Sequence, residues 1–116
     1  MVDTSTDPTA VRLLHEPDRE RYEAHDGDEV VGILSYGDET EADPPVRDLR
    51  STVVAPERNG EGIGSALVRF ALDDVRSRGM RVRATCWFVR GWIQRHRVYA
   101  DLLAPEAGEQ QGKEKP

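Results

Sequence analysis

At 116 residues the chain is one domain's worth, with 37% hydrophobic and 33% charged residues and a net charge of -6. Its longest aliphatic run, Val30, Val31, Gly32, Ile33 and Leu34, is far short of the ~20 apolar residues of a spanning helix. The start, with Asp3 and Asp7 and no apolar segment, predicts no secretory signal, and the lone Cys86 cannot close an internal disulfide. A cytoplasmic protein without a membrane partner is therefore expected.

Residues 1–9 and 104–116 have almost no large apolar side chains and read as solvated, disordered tails around a single domain over 10–103. Within it, 11–14 and 21–24 are candidate strands. Asp26, Gly27 and Asp28 supply turn chemistry, and the Val- and Ile-rich segment 29–36 reads as a strand. A polar loop over 37–45 ends in prolines, and 46–54 is the next strand, which makes the first half an antiparallel meander. The period then changes. Ile63, Ala66, Leu67, Phe70, Ala71 and Val75 recur at helical spacing, with Arg78 and Gly79 as a stop signal. A strand over 81–85 completes a strand–helix–strand unit, which requires a parallel pair in the sheet. Short helical pieces are expected over 89–94 and 99–103. The fold class is thus α+β, with a mixed, mostly antiparallel sheet and flanking helices.

Charge is unevenly spread. The segment from Arg76 to Arg97 holds seven arginines and no acid, so a stretch of +7 in a chain of -6 leaves the remainder at -13. This pattern fits either an anionic ligand on one side or a solvated arginine-rich surface. The other chemical signal is Asn59-Gly60-Glu61-Gly62-Ile63-Gly64-Ser65, which runs straight into the long helix. Alternate glycines expose backbone amides, and a helix N-terminus adds its dipole, so the loop suits a phosphate or pyrophosphate. A dinucleotide fold would need the loop early in a parallel sheet, and a P-loop would end in Gly-Lys-Ser/Thr. Neither condition is met.

The segment from Pro56 to Val68 resembles the acetyl-CoA loop and helix of GCN5-related N-acetyltransferases. Cys86, Phe88-Val89, Trp92-Ile93, His96 and Tyr99 follow in the order seen in that superfamily's short, single-domain YjdJ-like group. The resemblance covers roughly residues 19–103. It implies a sheet whose central strands part to admit the cofactor, and transfer of acetyl from acetyl-CoA to a primary amine of a small molecule or protein by direct attack, without a metal. It assigns Val54, Asn59, Gly60, Glu61, Gly62, Ile63, Gly64 and Ser65 to the cofactor, and the arginines after the helix to the 3′-phosphate of CoA. Cys86, Tyr99 and His96 are its catalytic candidates, set against packing or capping roles for each. The segment Ser51-Thr52-Val53-Val54 stands where relatives tend to carry His-Thr-Glu-Val, and Glu61 replaces a more permissive loop residue. His15 and His25 read as surface groups. The alternative is a CoA-binding domain with little turnover. A nucleic-acid module on the arginine segment is disfavoured by the acidic remainder and the scarcity of aromatics. A monomer or weak dimer is expected.

Overall fold

The computed structural model describes residues 4–6 and 10–105. Six strands form one sheet in sequence order: β1 (Thr4–Thr6), β2 (Arg12–Glu16), β3 (Arg21–Asp26), β4 (Glu29–Glu39), β5 (Val46–Val54) and β6 (Arg81–Ala84). The first five are antiparallel neighbours, and β6 runs parallel to β5. The long helix α1 (Ile63–Ser77) supplies the crossover between them, and the shorter α2 (Trp87–Arg95) follows β6. A 3-10 helix, Arg97–Leu102, closes the described chain. Among the described residues no helix is long and apolar enough to cross a membrane.

The mixed α+β sheet expected from the sequence is present, with two differences at its margins. Thr4–Thr6, inside the segment read as a tail, pairs with β2, while the rest of that segment and residues 106–116 lie outside the described residues. β4 runs on to Glu39, three residues into the expected loop, because Gly37, Asp38 and Glu39 find partners in Asp48, Arg47 and Val46. Pairing satisfies backbone groups whatever the side-chain polarity, so a polar composition does not by itself make a loop.

The apolar stripe of α1 is buried against the sheet through Ile63, Ala66, Leu67, Val68, Ala71, Leu72 and Val75. It meets Tyr22, Leu34, Leu49 and Val82 from the strands, with Val89, Trp92 and Ile93 from α2 extending the same core. Burying each large apolar side chain contributes about 1.5–3 kcal/mol, which holds α1 and hence its N-terminus in place.

Candidate functional site

β5 and β6 are paired only from Val46–Arg81 to Leu49–Ala84. The Cys86 amide then donates to the Leu49 carbonyl at 2.9 Å, after which β6 has ended and β5 continues to Val54 alongside β4 only. The parting has a local cause. Ser35 and Tyr36 face Ser51 and Leu49, so Arg50 is an extra residue in β5, and such a bulge bends its strand and increases its twist. The result is a cavity of about 520 Å³ between Arg50, Ser51, Thr52 and Val54 on one side and Thr85, Cys86, Trp87 and Phe88 on the other.

One end of this cavity is the glycine loop. Gly60 and Gly62 have φ of 89° and 86°, a left-handed conformation that favours glycine, and Gly62 caps α1. The first helical hydrogen bond runs from the Ala66 amide to the Gly62 carbonyl at 3.0 Å. The amides of Ile63, Gly64 and Ser65 precede it and so have no intrahelical acceptor. Gly64 is required for a different reason: a Cβ there would lie 3.1 Å from the Phe88 ring across the cavity. The chemistry at this end is that of an oxyanion cradle built from amides and a helix dipole.

Val54 and every residue from Asn59 to Ser65 except Glu61 line the cavity. Glu61 is turned aside, its carboxylate accepting from the Arg58 Nε at 2.9 and 3.0 Å. Arg58 also donates to Asp26 at 2.9 Å, and its own side chain lines the cavity. The pairing therefore draws the Glu61 carboxylate away from the amide cradle, and Arg58 is itself matched by the carboxylates of Glu61 and Asp26. Sequence reading flagged Glu61 but had no means of seeing its partner.

The three catalytic candidates separate. Cys86 is buried and lines the cavity, with its Sγ 3.6 Å from the Thr52 Oγ1. His96 and Tyr99 do not line it. The His96 ring stacks on Trp92 at 3.8 Å and its Nδ1 lies 2.8 Å from the Trp92 carbonyl, which is a capping and packing role. Tyr99 leans on Trp92 at 5.4 Å and donates its hydroxyl to Asp73 at 2.8 Å. Burial and that bond to a carboxylate both raise its hydroxyl above the ordinary tyrosine range. After α2 ends, His96 folds back on Trp92 and Tyr99 reaches across to Asp73 of α1.

Two aromatic and two strand residues complete the picture. Trp92 is core, whereas Trp87 is 78% exposed at the cavity wall. Val53 is 64% exposed and Ser51 also faces solvent. Among the lining residues there is no Asp, Glu or His. A family model described as a GCN5-related N-acetyl-transferase matches residues 21–102. No curated protein matches the chain.

Proposed function

The chain belongs to the GCN5-related N-acetyltransferase family, and we propose that it is an acetyl-CoA-dependent N-acetyltransferase of the short YjdJ-like group, acting on a primary amine. The observation that carries this reading is one cavity with an amide cradle at the start of α1 and the Cys86 thiol at the strand gap. The pyrophosphate of acetyl-CoA would sit on the amides near Gly62, Ile63, Gly64 and Ser65 with Arg58 alongside. The pantetheine would then run past Val54 and Thr52.

The reaction is direct aminolysis. The neutral amine attacks the thioester carbonyl carbon, the carbon–sulfur bond breaks, and the departing thiolate takes a proton from Cys86, which regains one from solvent. The amine's own proton leaves to water, because no carboxylate or imidazole lines the cavity to receive it. A free lysine amine is almost wholly protonated at pH 7, so the rate should climb with pH toward the acceptor's own pKa.

The same lack of a base favours a second reading, a CoA-binding domain with little turnover, in which Ser51 and Val53 face solvent without a proton relay. Calorimetric titration with acetyl-CoA and CoA tests the shared premise. Micromolar binding that disappears in Gly62→Asp, with thermal melting retained, is the expected result. No binding by the unaltered protein would overturn both readings. Binding without measurable transfer to any amine at high pH would select the second.

A further inference from the structure

The arginine segment does not converge on the cofactor cavity. Arg76 is paired with Asp101 and Arg78 with Asp74, on or beside α1. Arg81, Arg83 and Arg90 instead surround a second cavity of about 730 Å³. Val82 is fully buried in the core, so its strand neighbours Arg81 and Arg83 point to the opposite face of the sheet. The linings of the two cavities follow one another along the chain, Ala84 belonging to the second and Thr85, the next residue, to the first. Arg90 is held at this seam by donating to the Ala84 carbonyl at 3.1 Å.

The charge within this second cavity is only partly cancelled, since the Asp101 carboxylate that acts on Arg81 is itself paired with Arg76. Glu39 neutralises Arg83 through bonds of 2.9 Å to Nε and Nη2, and Asp43 is the acid on the lining. Arg81 is oriented by the Asp101 carbonyl at 2.9 Å, as Arg90 is by Ala84, and a carbonyl directs a guanidinium without neutralising it. Among the described residues neither has a carboxylate at ion-pair distance. In a chain of net charge -6, this is a locally positive hollow in an otherwise repulsive field for anions. Guanidinium groups present paired donors that match carboxylate and phosphate oxygens.

We propose that the second cavity is an anion subsite for the acceptor: the amine that is acetylated carries a carboxylate or phosphate group. Arg81 and Arg90 hold that oxyanion while the amine reaches past Ala84 and Thr85 into the cofactor cavity. The inference rests on the acetyl-transfer reading above and gives the acceptor a chemical class.

The test uses the full chain and three lysine peptides of equal length, flanked by glutamates, by phosphoserine or by neutral residues. Acetyl-CoA binding is first measured by calorimetry, so that failure of the underlying reading is seen separately. Peptide binding is then titrated without acetyl-CoA, and transfer is measured with it saturating. The acidic and phosphorylated peptides should bind at least tenfold more tightly than the neutral one, and the ratio between those two identifies the oxyanion. The double variant Arg81→Ala/Arg90→Ala should abolish that preference. Arg90→Glu should reverse it, so that the neutral peptide binds more tightly than the acidic and phosphorylated ones, with circular dichroism and melting confirming the fold. Equal binding of all three peptides would overturn the proposal. So would a double variant that loses affinity for CoA but not for dephospho-CoA, since that would assign the arginines to the 3′-phosphate.

Discussion

β5 passes through two environments of opposite character. Near its start, Arg47 lies in a buried polar lock: its guanidinium donates to Asp38 at 2.7 and 2.9 Å, to the Tyr22 hydroxyl at 2.8 Å and to Asp74 at 3.3 Å. Tyr22 in turn donates to Asp74 at 2.7 Å, Arg78 reaches both Asp74 oxygens at 2.9 Å, and His15 and Tyr36 share a hydrogen bond of 2.6 Å beside them. Near its end, from Arg50 onward, the same strand has lost β6 and borders a cavity in which Thr52 and Cys86 are within hydrogen-bond reach of each other. At the lock, buried charge is tied to charge. At the gap, the backbone amides of the loop are left open for a ligand. The lock fastens α1 to the sheet at its C-terminal turn, the end of the helix opposite the open amides.

The sharpest way to break this comparison is at Asp74. Burial alone would raise its carboxyl, but the bonds from Arg78 and Tyr22 outweigh burial and hold it below the ordinary aspartate range. A carboxyl depressed in the fold contributes stability that is present above its unfolded value of about 3.9 and lost as pH falls through the folded value. Asp74→Asn leaves Arg47 its Asp38 partner but removes the charge bonded by Arg78 and Tyr22, and should cost about 1–3 kcal/mol at neutral pH by denaturant unfolding. The deficit should shrink below about pH 4. The lock interpretation also expects the surviving folded variant to bind acetyl-CoA normally. Weakened binding in folded protein would show that the two ends of α1 are coupled.

A smaller effect is expected at the gap. Cys86→Ala removes a small buried side chain and the contact with Thr52, with a stability cost of about 1 kcal/mol. If Cys86 hands its proton to the leaving thiolate, kcat should fall by about a hundredfold to ten-thousandfold with acetyl-CoA affinity retained. An unchanged kcat would reduce Cys86 to a packing residue. The smallest effect belongs to Tyr99, which touches neither region. Tyr99→Phe loses one exposed hydrogen bond to Asp73 and should alter stability by about 0.5–1.5 kcal/mol at most and leave kcat unaffected. A clear drop in kcat would return Tyr99 to the list of proton donors.

Where sequence reading succeeded and failed follows from the range of the interactions. The α1 stripe, the turn at Gly27 and the glycine loop are local patterns, and each is found where its spacing places it. His15 was read as a surface group because it follows Leu13 and Leu14 near a strand end, yet it is 2% exposed, stacked on Tyr22 at 4.6 Å. Its burial depends on Tyr36 and Arg78, which lie far along the chain, and no local signal announces either. Tyr99 and His96 follow a recognised order of residues, but order does not say which way a side chain points after α2 ends.

The amino-acid sequence by itself determined the strand-to-helix change of period, the amide-rich loop and the concentration of arginine after α1. Those properties depend on residues within a turn or two of one another. Only the tertiary structure decided that Arg50 bulges β5 away from β6, that Arg58 draws Glu61 aside, and that the arginines divide between two surfaces. Each of these depends on which strands meet and in what register, and a one-residue change of register reverses every side chain's face.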